Sequence, residues 1–258
     1  MKHWTSKFFI DRPELWLHLM NRGWEQAGMT VRGIVKILKK HGVSGGKFLE
    51  LACGNGRICL PMAKRGFAVT GVDISPAFIE DAKNRAKKGN VRARFICGDI
   101  RKIDKIVDEK FDVVLSIWTS VGFYDKKTDE RIFGKAAQRT RKNGLFLILN
   151  TMSQEYLLNH YYANIFDETD TFVVLHRNSR FDRFRSRIRD NWVFYEKDGK
   201  GLKYVDELNL DLKVYSTHEI IEMAEKASFE YLEAYDSLDT LQPARPDSVI
   251  NVIFRKRE

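Results

Sequence analysis

Residues 47–57 read Lys47-Phe48-Leu49-Glu50-Leu51-Ala52-Cys53-Gly54-Asn55-Gly56-Arg57. A short apolar run ends in an acid, a glycine turn follows, and helical spacing begins after it. The pattern predicts strand, turn and helix. Gly54 and Gly56 let the backbone turn tightly and let a ligand lie against bare main chain. A helix opening at such a turn aims free N–H groups at that ligand. The next apolar run, residues 67–73, also ends in an acid, Asp73. In open α/β sheets, an acid at the tip of the second strand grips a ribose diol, and a carboxylate can accept from both hydroxyls. A nucleotide-like ligand is expected.

Composition sets outer limits. The chain has 258 residues, 43% hydrophobic and 31% charged, with a formal net charge of +9 and a pI near 9.4. That suits one large α/β domain with an insertion, or two small ones. The basic excess favours anionic partners without naming one. Glutamine occurs only at Gln26, Gln138, Gln154 and Gln242 while Lys, Arg and Glu abound, a balance shared with heat-adapted proteins. The cysteines, Cys53, Cys59 and Cys97, are odd in number and form no paired framework, which argues for a reducing compartment. No Cys/His group has metal spacing, so no metal is expected. No signal pattern opens the sequence and no apolar run reaches membrane length. The expectation is a soluble, cytoplasmic protein.

In chain order, Asp11 and Pro13 mark a helix start, with Leu15, Trp16, Leu19 and Met20 on one face. Gly28 is read as a break and Thr30 as the cap of a second helix carrying Val31, Ile34, Val35 and Leu38. Ser75-Pro76 caps the helix of Phe78, Ile79, Ala82 and Ala86. Residues 91–97 read as a third strand and 111–117 as a near-continuous apolar run, as a central parallel strand requires. Asn143-Gly144 reads as the left-handed stop of the helix before residues 145–149. This alternation predicts a doubly wound, mostly parallel sheet. From 151 to 215 the pattern changes to antiparallel runs at 172–175, 180–189, 191–195 and 208–215. That stretch is an inserted β-rich cap, with 1–150 and 216–258 forming the main domain. Ser216-Thr217-His218-Glu219 is a capping box.

Glu50-x-x-x-Gly54-x-Gly56 resembles the first motif of the class I S-adenosylmethionine (SAM)-dependent methyltransferases. Val72-Asp73-Ile74-Ser75, Cys97-Gly98-Asp99-Ile100, Phe111-Asp112-Val113-Val114-Leu115-Ser116 and Lys142-Asn143-Gly144-Leu145-Phe146-Leu147-Ile148 follow in that family's order. The resemblance implies a seven-stranded Rossmann-like sheet closed by an antiparallel pair. It implies SAM as cofactor and S-adenosylhomocysteine as product. It makes Glu50, Ala52, Gly54, Gly56 and Arg57 cofactor-binding, with Glu50 holding the loop and helping to bind the ammonium of the methionine part and the glycines allowing close backbone approach. Asp73 and Ile74 would face the ribose and adenine. Asp99 would accept from the adenine amino group, and Ile100 would offer its N–H to the ring. Ser116 and Trp118 complete the cofactor set. Cys53 and Cys97 are small apolar fillers. The aromatic start, Trp4, Phe8 and Phe9, reads as a lid or as ordinary packing.

The segment Thr119-Ser120-Val121-Gly122-Phe123-Tyr124 resembles one found in small-molecule members. Tyr124, and more weakly Tyr161 beside His160, are the candidate catalytic or acceptor-contacting residues. Arg183, Arg185, Arg187 and Arg189 alternate, so on a strand they share one face, either solvated or drawing in an anionic acceptor. The favoured reading is methyl transfer to a small molecule by in-line displacement, where alignment supplies much of the rate. An RNA methyltransferase is the alternative, supported by charge alone, since the Asn/Asp-Pro-Pro-Tyr motif of nucleobase amino-methyltransferases is missing. A dinucleotide-binding Rossmann protein is the third, disfavoured because Cys59 stands where a third small residue is wanted.

Overall fold

The computed structural model describes residues 3–257, apart from the side chain of Glu25. The chain begins with α1 (Trp4–Ser6), a π-helical turn (Lys7–Asp11), α2 (Pro13–Arg22) and α3 (Trp24–Lys40). Strands and helices then alternate: β1 (Gly46–Leu51), α4 (Cys59–Ala63), β2 (Phe67–Asp73), α5 (Pro76–Lys88), β3 (Arg94–Cys97), α6 (Ile103–Ile106), β4 (Phe111–Ile117), α7 (Lys126–Arg139) and β5 (Thr140–Thr151). Next come α8 (Gln154–Asn159), β6 (Ile165–Glu168), β7 (Phe172–Asp182), β8 (Arg187–Asp198) and β9 (Gly201–Lys213). The last elements are α9 (Thr217–Lys226), β10 (Phe229–Ala234) and β11 (Ile250–Lys256).

Seven strands form one sheet in the order β10-β11-β5-β4-β1-β2-β3. It is parallel from β3 to β5, and β11 runs antiparallel to both β5 and β10. The strand order reverses beside β1: the chain leaves it for β2 and β3 on one side, then returns to β4 and β5 on the other. That reversal opens a crevice at the carboxyl ends of β1 and β4.

Side chains alternate between two cores, as the two-residue period requires. Val113 and Leu115 of β4, with Leu145, Leu147 and Leu149 of β5, join Val31, Ile34 and Leu38 of α3. Val114, Phe146 and Ile148 face the other way, onto Phe133 of α7 and Ile220 of α9. The predicted doubly wound sheet is present, and near-continuous apolar runs are why β4 and β5 are buried on both faces.

Between β5 and α9 lies a separate antiparallel sheet, β6-β7-β8-β9. Its inward residues Val174, Phe194 and Leu208 pack on Phe8, Phe9, Leu15 and Met20 of the amino-terminal segment. The capping box of α9 forms as expected from Ser216 and Glu219.

Local expectations needed correction in three places. Gly28 and Thr30 do not separate two helices; both lie inside α3, and Gly23 ends α2. Burial of Ala27, Val31 and Ile34 at helical spacing outweighs the roughly 1 kcal/mol that a helical glycine costs. Thr30 instead donates its hydroxyl to the Gln26 carbonyl at 3.3 Å. Asn143 is left-handed, but it sits within β5, and α7 has already stopped at Arg139. Last, the arginine row is split: Arg187 and Arg189 alternate on β8 as expected, but Arg183 and Arg185 do not stand on a strand. Residues 183–186 form the turn between β7 and β8. Asp182 nucleates it by accepting from the N–H groups of Phe184 and Arg185, as aspartate does in turns.

Candidate active site

The crevice holds a pocket with about 770 Å³ of empty space, open solvent at its mouth included. Ala52, Gly54 and Arg57 come from the loop after β1, Asp73 and Ile74 from the end of β2, Asp99 and Ile100 from beyond β3, and Trp118 and Tyr124 from beyond β4. Nine of the sequence-predicted positions therefore meet in one cavity. Strands lie about 4.8 Å apart, so the crossing from β4 to β3 spans roughly 14 Å, the reach of an extended nucleoside–amino acid conjugate.

Asp73 is buried and fixes the floor. Its Oδ2 accepts from the Gly54 N–H at 2.8 Å and its Oδ1 from the Ser75 N–H at 2.9 Å. Burial pushes this carboxyl up to about 6, against the pull of those N–H groups. Gly54 has φ +53°, and a Cβ there would sit 2.9 Å from the Met20 sulfur. The bare backbone thus leaves room beneath the roof. For Asp99, burial acts upward but the hydrogen bonds from Arg101 outweigh it, holding the carboxyl below its ordinary value.

Arg57 is the unusual group. Its guanidinium lies 3.6 Å from the centre of the Trp118 ring, and it makes no hydrogen bond among the described residues. Burial lowers it to about 10, with Glu50 opposing. A half-sequestered cation facing a cavity without a hydrogen-bond partner calls for an anion there. Trp118 is held at φ +61°, a strained value for a bulky residue. Its carbonyl accepts from the Thr151 hydroxyl at 2.8 Å.

Four predicted residues stand elsewhere. Glu50 is buried behind the loop and accepts from the Cys59 thiol at 2.9 Å, so it braces the turn from beneath and does not line the cavity. Gly56 faces Phe95 and Ala82 in the core. Ser116 is one hydroxyl back, 2.7 Å from Ser120, which does line the pocket. Tyr161 is outside it altogether. The chain turns away after α8, and the Tyr161 hydroxyl donates to the Ser179 carbonyl in the cap sheet. His160 stacks on Tyr156, ring centres 4.2 Å apart.

Sequence reasoning left the roof open between lid and core. Thr5, Phe9, Trp16 and Met20 line the pocket from above. Phe9 and Trp16 meet edge to face at 5.6 Å, and Phe9 lies 5.3 Å from Phe123. Trp16 stacks on Trp192 of the cap at 5.0 Å. Trp192 itself donates to Asp190, which also meets the buried His176 at 3.1 Å. The cap thus presses on the roof without lining the cavity. Only the aromatic density of the first segment signalled this, and it signals a core equally well.

This topology, with its glycine loop and acid-tipped second strand, is the class I SAM-dependent methyltransferase fold. Residues 48–144 match the family model described as a methyltransferase domain. A ubiquinone biosynthesis O-methyltransferase of Bradyrhizobium sp. (strain ORS 278) is 31% identical over 115 residues, which are 44% of this chain and 43% of that protein. The chain spans about half the length of the curated relatives it matches first, 43% and 55%. Among solved structures, a SAM-dependent methyltransferase from Clostridium acetobutylicum ATCC 824 superposes with a TM-score of 0.77 at 16% identity, covering 90% of this chain and 92% of that one. SAM-bound CalS10, an amino pentose methyltransferase from Micromonospora echinaspora, gives 0.70 at 17% identity over 96% and 98%. Residues 48–144 thus resemble a methyltransferase domain, and the fold around them is of the class I type. No helix among the described residues is long and apolar enough to cross a membrane.

Proposed function

We propose that this chain transfers a methyl group from SAM to a small-molecule acceptor. The observation that carries the reading is the pairing, in one pocket, of the buried Asp73 carboxylate with the hydrogen-bond-free Arg57 guanidinium on either side of the Gly54 loop. These groups fit the cofactor's two polar ends. Asp73 would accept from ribose hydroxyls, Arg57 would meet the amino-acid carboxylate, and Ile74, Asp99 and Ile100 would bound the adenine. When bound, SAM supplies an electrophilic methyl group on a sulfonium. The chain's residues orient and enclose: Phe9, Trp16 and Met20 exclude water from above, and Trp118 holds Arg57 in place.

Two of the proteins named above, the ubiquinone biosynthesis O-methyltransferase and the amino pentose methyltransferase, act on small molecules by their names, which supports an acceptor of that kind here. Residues 151–215 would serve as the cap that stiffens the roof, and Tyr124 would stand against the acceptor. An anionic acceptor would find Arg101 and Arg187 around Tyr124. Three unpaired cysteines favour a reducing, cytoplasmic setting. Calorimetry tests the first step. SAM and S-adenosylhomocysteine should bind and NAD should not; binding of NAD alone would reverse the assignment.

A further inference from the structure

The β1–β3 tips account for the cofactor half of the pocket. Thr5, Phe9, Trp16, Ser120, Phe123 and Tyr124 are among what remains, a set of aromatic walls and hydroxyls with no carboxylate. An ammonium acceptor would be a buried cation without a partner there. A planar aromatic ring suits the walls. Two cations stand close by: the Arg101 guanidinium lies 4.4 Å from the Tyr124 ring centre, and Arg187 reaches the Tyr124 carbonyl at 3.5 Å. Both also have acidic partners, Asp99 and Asp211, and burial raises the Tyr124 hydroxyl while Arg101 opposes it, so a phenol in this half of the pocket needs a proton acceptor to ionise.

A phenol keeps its proton until about pH 10, so a neutral-pH reaction needs somewhere to send it. The roof supplies a route. The Thr5 backbone N–H points at the His3 Nδ1 at 3.4 Å. A backbone N–H can only donate, so Nδ1 carries a lone pair and the ring proton is on Nε2. The Thr5 hydroxyl, 2.8 Å from the same Nδ1, therefore donates to it as well. That leaves the lone pairs of the Thr5 oxygen for a donor inside the pocket, which Thr5 lines. Thr5 is buried and His3 exposed, so the chain of hydrogen bonds runs from the cavity to the surface. Partial burial lowers the His3 ring below its ordinary value, Arg101 and Arg187 add to that, and Asp211 opposes. A neutral, proton-accepting imidazole results.

Building on the methyltransferase reading, we propose that the acceptor is a phenolic hydroxyl and that Thr5 and His3 carry its proton out. The phenol O–H gives its proton to the Thr5 oxygen as Thr5 passes its own to His3 Nδ1. The imidazolium then releases its Nε2 proton to water, and the phenol oxygen keeps the electron pair with which it attacks. Thr5 touches the acceptor; His3 acts through Thr5 and is a positioning residue.

The test reads ionisation without turnover. 4-Nitrocatechol, whose visible spectrum changes on ionisation, is titrated with pH in complex with the protein and S-adenosylhomocysteine. Its bound midpoint should lie about one unit or more below its free value, a tenfold preference for the phenolate. His3→Gln and Thr5→Val should each bring the midpoint back toward the free value while S-adenosylhomocysteine still binds. His3 is at the surface, so its replacement leaves the fold intact. A bound phenol that titrates as it does free, no phenol binding, or a shift that survives both variants would overturn the proposal. Loss of S-adenosylhomocysteine binding in the unaltered protein would instead overturn the methyltransferase reading.

Discussion

The Asp73 carboxylate accepts from the Gly54 backbone N–H at 2.8 Å, so the tip of β2 and the glycine loop after β1 are tied into one unit. Replacing Asp73 by Ala should remove that tie and two charge-assisted bonds to the ribose, each worth roughly 1.5–3 kcal/mol. SAM affinity should fall at least about tenfold, or 1.4 kcal/mol, with the far-UV circular dichroism unchanged. Burial also raises Asp73 to about 6. SAM affinity of the unaltered protein should weaken as pH falls through that value, and Asp73→Asn should flatten the dependence. An unchanged dissociation constant in Asp73→Ala would remove Asp73 from the site.

Glu50 makes a stability prediction. Burial pushes its carboxyl up to about 8, against the hydrogen bond from Cys59 and the charge of Arg57. The unfolded chain releases this proton near the ordinary 4.5, while the fold retains it. The contribution is thus fully present below about 4.5 and is lost as pH rises through about 8. Each unit of such a shift corresponds to about 1.4 kcal/mol. Glu50→Gln, which keeps an acceptor for Cys59 and cannot ionise, should gain on the unaltered protein by ~2 kcal/mol or more between pH 5 and pH 8.5. Urea denaturation at those two pH values measures it; parallel curves for the two proteins would show that Glu50 does not hold the proton.

The parts of this molecule that follow a strict period were readable in advance. Residues 111–117 are apolar on both faces and form β4 with those bounds. Asp73 and Gly54 stand together because a strand tip and the neighbouring turn are adjacent in any such sheet. What escaped was set by tertiary burial or by one local hydrogen bond. Gly28 is helical because its neighbours pack on the sheet. Arg183 and Arg185 sit in a turn because Asp182 caps it. Tyr161 points into the cap because of a single bond to Ser179. Thr5 and Met20 reach the pocket only through the docking of α2 and the cap, which no periodicity encodes.

Gly122 links the acceptor loop to the cap. Its N–H donates to Asp129 at 3.2 Å, its carbonyl accepts from the Lys213 N–H at 2.8 Å, and Asp129 is held in turn by the Tyr215 hydroxyl at 2.8 Å. Its φ is +97°, and a Cβ would come 2.0 Å from the Lys213 carbonyl oxygen. Gly122→Ala should therefore destabilise by ~2 kcal/mol or more and should loosen Tyr124. Thermal melting and Tyr124 solvent exposure by hydrogen exchange of the loop read the two effects. A variant as stable as the parent would mean the loop can move at no cost.

The Trp16–Trp192 stack joins roof to cap. If the roof opens to release the cofactor, Trp192→Ala should speed SAM dissociation severalfold in stopped-flow fluorescence, since lid motions gate release. A lower melting temperature with an unaltered off-rate would make the contact purely structural.

The net charge of +9 invites an RNA partner, and the arginines at the β7–β8 turn decide how strongly. Arg185 pairs with Asp182 at 3.1 Å, Arg187 with Asp211 at 2.6 Å, and Arg189 faces the same Asp211 at 3.6 Å. Arg183 lies over the ring of Phe184, 5.0 Å from its centre. Phe184 is exposed and offers a base one ring in this turn, whereas single-strand binders set several aromatic platforms along a basic groove. Phosphate contacts release counterions, so RNA held by such a surface should dissociate steeply with salt. Bulk tRNA should bind weakly, be lost by moderate salt, and take up no labelled methyl group. Replacing Arg183 and Arg185 by Glu should change cofactor binding little, because neither lines the pocket. Salt-resistant tRNA binding with methyl transfer, abolished by that double replacement, would move the acceptor from a small molecule to RNA.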